Sequence, residues 1–226
     1  MYLTNFCKAP GCTHLALSNI ENGNLIESGD YCLNHTPDRE KKSHDILRYI
    51  QEHDKIVGLT ACGIEFSTEE NFELTNKRFY GCNFMHCVFR GFNSRKVRSR
   101  MTTFDFCIFS DCNLLESNMQ FTSFAGCKFV HMLFTGSEMI QNNFVGLESF
   151  QSSFDDSDLY NSRFIRAHLV DTSIRNCNIK NTIFREIEQT NLSFKQSNTN
   201  EAIFDERGSA LFTGIKELDN PIGART

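Results

Sequence analysis

The sequence of 226 residues predicts an all-β solenoid with four faces, and three features carry that prediction. Large apolar residues recur at every fifth position, small residues stand two positions before them, and phenylalanines recur at a spacing of 20. A period of five fits neither an α-helix, which would spread these side chains around its circumference, nor a flat strand, which would send half of them to each face. The chain is therefore expected to turn a corner every five residues, so that four faces make one coil.

The large apolar positions form a lattice that runs from residue 79 to residue 204. Of its 26 positions, 14 carry Phe and seven carry Leu, Met or Ile. One column at a spacing of 20 is unbroken, which predicts rings stacked on successive rungs about 4.8 Å apart. This column comprises Phe84, Phe104, Phe124, Phe144, Phe164, Phe184 and Phe204.

Seven of the ten cysteines occupy the small inward position of the lattice. A buried free cysteine behaves as a small apolar residue, and rungs stacked with parallel Cβ vectors fit disulfide geometry poorly. We therefore expect inert thiols at Cys62, Cys82, Cys87, Cys107, Cys112, Cys127 and Cys177.

The repeat resembles the pentapeptide-repeat family, as in Cys82-Asn83-Phe84-Met85-His86, Ser157-Asp158-Leu159-Tyr160-Asn161 and Cys177-Asn178-Ile179-Lys180-Asn181. The resemblance covers residues 59–206 and implies a right-handed quadrilateral β-helix of about seven coils. It also implies a non-catalytic protein, and members of the family often dimerise near the C-terminus. The departures, where no large apolar residue occupies the lattice, are Ser94, Ser99, Ser149, Gln189 and Thr199.

Both ends of a solenoid need a cover for their apolar side chains and unpaired backbone groups. A helix over residues 37–54, with Thr36 as N-cap and Pro37 at its first position, is expected to cap the N-terminal end. Its apolar patch comprises Ile46, Leu47 and Ile50. After Gly208, residues 207–226 are expected either to cap the last coil or to form a homodimer contact through Leu211, Phe212, Ile215 and Leu218.

The first 36 residues carry a candidate metal site with the spacing C-x4-C-x19-C-x2-H, formed by Cys7, Cys12, Cys32 and His35. Three thiolates and one imidazole complete a closed tetrahedral shell, which is typical of structural zinc. Asn22-Gly23 between two short runs predicts a β-hairpin inside this segment. The segment resembles small treble-clef-like zinc modules, which accompany nucleic-acid proteins or serve as folding staples. Three free thiols, or His14 as a ligand, are the weaker interpretations.

Charge divides the repeats into a basic stretch and an acidic stretch. Residues 77–100 carry seven basic residues and no acidic ones, whereas residues 101–158 carry eight acidic residues and one basic one. Because Ser94 and Ser99 interrupt the lattice beside the basic run, residues 90–103 are expected to loop out of the solenoid. The candidate interaction residues are Arg95, Lys96, Arg98, Arg100, Glu138, Glu148, Asp155, Asp156 and Asp158.

These patterns predict a non-catalytic scaffold that presents a rigid charged surface to another protein, since the sequence contains no phosphate loop, nucleophile elbow or His-Glu-x-x-His motif. The family resemblance adds an alternative, a DNA mimic that binds or protects a type II topoisomerase. A net charge of −4 over residues 59–206 argues against uniform mimicry, because DNA of that length, about 35 Å, carries roughly 20 charges. A second alternative is a nucleic-acid-binding adaptor that uses the zinc module and the basic loop.

Composition sets the remaining expectations. An apolar content of 40% excludes a disordered chain, and the longest apolar run is too short for a membrane-spanning helix. The first residues lack the basic and apolar regions of a secretory signal, which favours a cytoplasmic, bacterial protein with reduced thiols. The predicted domains are a zinc module (1–36), a capping helix and linker (37–58), the β-helix (59–206) and a C-terminal segment (207–226).

Overall fold

A computed structural model describes residues 5–26, 29–67 and 72–205, and it is an all-β solenoid, as predicted. The described residues contain one α-helix, α1 (Arg39–Glu52), a short 3-10 helix (Thr199–Glu201) and eighteen short strands. The strands are β1 (Asn19–Glu21), β2 (Asn24–Ile26), β3 (Lys55–Val57), β4 (Glu65–Ser67), β5 (Arg78–Tyr80), β6 (Val88–Arg90), β7 (Asn93–Arg95), β8 (Arg98–Arg100), β9 (Ile108–Ser110), β10 (Asn113–Leu115), β11 (Asn118–Gln120), β12 (Lys128–Val130), β13 (Glu148–Phe150), β14 (Arg163–Ile165), β15 (His168–Val170), β16 (Ile183–Arg185), β17 (Glu188–Thr190) and β18 (Ile203–Phe204).

Parallel pairing between successive coils forms four faces, numbered here in chain order. Face 1 contains β3, β5, β8 and β11; face 2 contains β14, β16 and β18; face 3 contains seven strands from β4 to β17; face 4 contains β7 and β10. Single bridges continue faces 1, 2 and 4 where no strand is assigned. The register is 20 residues, except that Ile56 pairs with Phe79 and Phe66 with Phe89, 23 residues later. The first coil is thus three residues longer than the others.

Each corner is made by one residue with a left-handed backbone. All 25 corner positions from 76 to 196, five residues apart, have φ between 48° and 72°, although only five of them are glycine. The left-handed region is unfavourable for other L-residues, typically by about 1–2 kcal/mol. Parallel hydrogen bonds accompany the turns, for example from His86 N–H to Asp105 O at 3.0 Å. This repeated corner explains how a five-residue period keeps one face inward.

The predicted phenylalanine column lies at the centre of the core. Its neighbouring ring centroids are 4.5–5.5 Å apart and the ring planes are nearly parallel. Phe124, Phe144, Phe164 and Phe184 are fully buried. Offset or parallel aromatic contacts add to the free energy gained from burying apolar surface.

The small inward side chains form a ladder of hydrogen bonds that sequence reasoning missed. The thiol of Cys107 donates to Phe84 O at 2.6 Å, and that of Cys127 donates to Phe104 O at 2.9 Å. The hydroxyl of Ser157 donates to Phe134 O at 3.0 Å by the same step of 23 residues. A polar group at this position links consecutive coils, which explains why Cys, Ser and Thr occupy it. All ten cysteines are free.

The prediction that residues 90–103 loop out is wrong. β7 and β8 lie in the solenoid and pair in register with β10 and β11. Ser94 and Ser99 point inward and are buried. The backbone pairing of the repeat is therefore kept when the large side chain is replaced by a small one, since each coil holds its neighbour through main-chain hydrogen bonds.

The helix begins and ends inside its predicted bounds. Asp38, not Thr36, is the N-cap, and its carboxylate accepts a hydrogen bond from Lys41 N–H at 2.9 Å. At the other end the chain becomes extended at His53. The ammonium of Lys77, buried at an inward position, donates to the carbonyls of Gln51 (2.8 Å) and His53 (3.0 Å) and so ends the helix.

The helix and the hairpin cover the N-terminal end of the solenoid. Ile46, Tyr49 and Ile50 are buried in the same core as the first coil, whereas Leu47 is only partly buried. The hairpin of β1 and β2 forms as predicted, with a turn at Asn22 and Gly23. The C-terminal segment predicted for residues 207–226 lies outside the described residues. Within the described parts of the chain, no helix is long and apolar enough to cross a membrane.

Candidate functional sites: a cysteine–histidine cluster and a charged edge

Two local turns bring the four predicted metal ligands together. Around the first pair, Cys7 N–H donates to His14 O at 2.9 Å and Cys12 N–H donates to Ala9 O at 3.1 Å. This turn is closed by Gly11, whose φ of 75° suits a glycine. The second pair lies on a turn in which His35 N–H donates to Cys32 O at 3.0 Å.

The ligand atoms of Cys7, Cys12, Cys32 and His35 lie within 4.8 Å of one another. The sulfurs of Cys12 and Cys32 are 3.8 Å apart. His35 Nδ1 lies 3.4 Å from the sulfur of Cys7 and 3.3 Å from that of Cys32. A tetrahedral zinc ion with its usual bond lengths would hold two sulfurs about 3.8 Å apart and a sulfur and a nitrogen about 3.5 Å apart. These residues therefore fit a metal ion that prefers thiolate and imidazole ligands.

The cluster is partly shielded from solvent. Cys7 and Cys32 are buried, Cys12 is partly buried and His35 is exposed. Desolvation acts to raise the pKa of the Cys7 thiol, but backbone N–H groups of Cys32 and Ala9 outweigh it and lower the pKa to about 6. His14 Nδ1 lies 3.4 Å from the sulfur of Cys12, on the exposed side, and does not belong to the four-residue cluster.

The second site is a corner where basic and acidic residues align along the solenoid. We call it the charged edge: corner residues 96, 116, 136 and 156 with the outward residues beside them on faces 4 and 1. Arg98 lies in register with Asn118, then Glu138, then Asp158. Both charged groups of the edge share one pattern, with an offset of 60 residues or three coils: Arg95, Lys96 and Arg98, then Asp155, Asp156 and Asp158.

The basic end of the charged edge has few internal partners. Arg95 pairs with Glu116 at 3.1 Å. On face 1, Arg98 stacks in register over Arg78, and Arg100 over Tyr80. Within the described parts of the chain, no ion pair includes Arg78, Arg98 or Arg100. Like charges on adjacent strands destabilise a sheet, so this arrangement leaves cationic groups available to an acidic ligand.

The acidic end is held by polar contacts with the next coil. Asp158 accepts from the side-chain amide of Asn178 at 3.0 Å, and Asp156 accepts from that of Asn176 at 2.7 Å. Asp155 accepts from Arg175 N–H at 2.8 Å. Glu138 accepts from the side-chain amide of Asn118. These contacts fix the carboxylates on the edge without neutralising Asp156 or Asp158.

Two basic or acidic residues of the sequence pattern do not belong to this edge. Glu148 lies on face 3, where its carboxylate is 3.9 Å from the ammonium of Lys128. Lys77, counted in the basic stretch, is buried against the end of α1. Its place at a small inward position of the lattice was the signal that could have separated it from the surface cations.

Comparison with known proteins places these sites on a recognised repeat. The family model of pentapeptide repeats matches residues 152–187 with eight copies. A pentapeptide repeat protein from the cyanobacterium Cyanothece 51142 is similar in structure, with 10% sequence identity and a TM-score of 0.41, over 54% of this chain and 91% of that chain. Full-length QnrB1, a plasmid-mediated fluoroquinolone resistance protein, is 11% identical with a TM-score of 0.32, over 69% of this chain and 98% of that chain.

HetL, a pentapeptide repeat protein involved in heterocyst differentiation regulation from the cyanobacterium Nostoc sp. strain PCC 7120, is 14% identical with a TM-score of 0.19. The similarity covers 72% of this chain and 97% of that chain. No curated protein matches this chain.

Proposed function

This chain belongs to the pentapeptide-repeat family, and from that premise we propose that it is a non-catalytic scaffold that binds another protein through the charged edge. The observation that carries the proposal is the alignment of two oppositely charged groups, three coils apart, on one corner of the solenoid. With rungs about 4.8 Å apart, their separation is about 14 Å.

The mechanism is recognition by fixed spacing. The backbone of each coil is hydrogen-bonded to the next, so the two charged groups cannot move apart when a partner binds. A partner that carries acidic and basic groups with the matching separation gains attraction at both ends, and a partner with the reverse order is repelled at both. Electrostatic complementarity of this kind sets specificity and the association rate more than the final affinity.

Capture from extracts of the source organism tests the proposal. The full-length chain should retain a partner that is lost in Lys96→Glu with Arg98→Glu and also lost in Glu138→Lys with Asp156→Lys. Arg163→Glu on face 2, an exposed arginine away from the charged edge, is the matched control and should retain the partner. If the wild type retains nothing, or if both double variants bind as it does, the proposed role of the edge is wrong.

The basic ladder supports a second candidate, a nucleic-acid-binding adaptor. Arg78, Arg98 and Arg100 lie on one face without ion-pair partners in the described residues, and such groups bind phosphates. We expect this candidate to produce a salt-dependent shift of duplex DNA that is lost in Arg98→Glu with Arg100→Glu. Absence of any shift at low salt would eliminate it.

The same basic ladder disfavours the DNA-mimic alternative. A mimic of DNA needs a continuous acidic face, whereas Arg98 and Glu138 lie only two coils apart in one column. A supercoiling assay with gyrase, with and without the protein, tests this alternative directly. We expect supercoiling to be unchanged.

We also propose that the cysteine–histidine cluster binds one structural zinc ion. Three thiolates and one imidazole leave no open position, so the ion would supply folding energy to the N-terminal segment rather than catalysis. Thiolate ligands and seven free lattice cysteines suit a reducing compartment, and we therefore place the protein in the cytoplasm.

A further inference from the structure

A groove separates the N-terminal segment from the first coils of the solenoid and is distinct from the charged edge. Its volume is about 490 Å³, within the range of about 300–1,000 Å³ that is usual for small-molecule sites. The walls are apolar and come from both sides: Phe6, Leu15 and Leu33 from the N-terminal segment, and Met85 from the second coil. Phe6 is 66% exposed, which is high for a phenylalanine.

The wall contributed by the solenoid is built by backbone and aromatic contacts. Gly63 N–H donates to Met85 O at 2.9 Å, which joins the first two coils at the floor of the groove. The ring of His86 stacks on that of Phe106 at a centroid distance of 5.1 Å. The side chain of Leu33 lies close to Gly63 and joins the two walls at their base. The groove is thus formed before any ligand binds.

The charge of the lining is one-sided. The residues that line the groove include Arg39 and no aspartate or glutamate. Arg39 makes no ion pair within the described residues, and the carboxylate beside it in the sequence, Asp38, accepts the Lys41 N–H at the start of α1. A guanidinium at the rim of an apolar groove favours a ligand with an apolar body and one anionic group, because it offers planar, charge-assisted hydrogen bonds to that group.

We propose that this groove binds a small apolar molecule that carries one carboxylate or similar anion, with its apolar body between Phe6 and Met85 and its anion at Arg39. This inference does not depend on the protein partner or on the zinc ion. It assigns Arg39 the anion contact and assigns the apolar walls most of the buried area.

The fluorescent probe 8-anilinonaphthalene-1-sulfonate tests the proposal, since it combines an aromatic body with one anion. The full-length protein as purified should bind it at one saturable site, and 1-naphthoate should displace it. Arg39→Gln should weaken the binding about tenfold, as expected for the loss of one charge-assisted hydrogen bond. The neutral analogue N-phenyl-1-naphthylamine should bind the wild type and Arg39→Gln equally.

Two controls locate the site. Arg163→Gln removes an exposed arginine from face 2, and Phe121→Ala removes a half-exposed aromatic ring from a distant corner. Both should leave the affinity for the sulfonate probe unchanged, and thermal unfolding should show all variants folded. The proposal is overturned if no saturable binding is found, if Arg39→Gln binds as tightly as the wild type, or if Phe121→Ala abolishes binding.

Discussion

The hydroxyl oxygen of Ser99 lies 3.0 Å from that of Thr122 on the next coil, in the buried core. Ser94, one face earlier, occupies the equivalent inward position and is equally buried, but its hydroxyl has no hydrogen-bond partner among the described residues. Burying a hydroxyl without a hydrogen bond is unfavourable, whereas a satisfied one is nearly neutral or stabilising. Two serines that look alike in the repeat therefore contribute with opposite sign.

Substitution of these serines should separate the two effects. We expect Ser94→Ala to raise the free energy of unfolding by about 1 kcal/mol and Ser99→Ala to lower it by about 1 kcal/mol. Urea unfolding of the two variants beside the wild type measures this. A change of the same sign in both would show that Ser94 finds a partner in solution.

Phe144 should be among the most sensitive residues of the core. It is fully buried, with Phe124 and Phe164 stacked on either side at 5.5 Å and 4.5 Å. Phe144→Ala should lower the free energy of unfolding by roughly 3–5 kcal/mol, since it removes buried area and leaves a cavity. Phe121→Ala, at a half-exposed corner, is the control and should cost less than about 1 kcal/mol. Equal effects of the two changes would contradict the stacked column.

The lattice was predictable because a parallel solenoid repeats its side-chain environment with its backbone. Phe84 and Phe104 stand 20 residues apart and their rings stack at 5.1 Å, so periodicity alone locates the contact. The same logic places Arg98 and Asp158 in one column, because their numbers differ by 60. The alignment of the charged edge was thus available from the sequence, although net charge per stretch hides it.

Features that depend on one contact were not predictable. The partner of Ser99 and the missing partner of Ser94 follow from what faces each serine on the next coil, not from the repeat. The end of α1 depends on Lys77, which lies 25 residues beyond it. The metal ligands were predicted by spacing, but the distances that make them fit a tetrahedral ion come only from the fold.

Metal analysis should find about one zinc ion per chain in the wild type. Cys32→Ser should abolish the zinc content, and a chelator should lower the unfolding temperature of the wild type. Cys177→Ser is the matched control, since Cys177 is a buried cysteine of the lattice whose thiol donates to Phe154 O at 3.1 Å. It should keep its zinc. A wild-type protein without zinc, or full zinc content in Cys32→Ser, would contradict the proposed site.

Lys77 should stabilise the junction between α1 and the solenoid. Its ammonium is the donor for two carbonyls at the end of the helix, and it is 3.9 Å from the exposed carboxylate of Asp54. Lys77→Met keeps the apolar stem but leaves both carbonyls without this donor, which should lower the free energy of unfolding by about 1.5–3 kcal/mol. Arg78→Met, the neighbouring outward residue, should change it by less than about 0.5 kcal/mol. Urea unfolding followed by far-ultraviolet circular dichroism measures both, and a Lys77→Met variant as stable as Arg78→Met would show that solvent replaces the ammonium at the helix end.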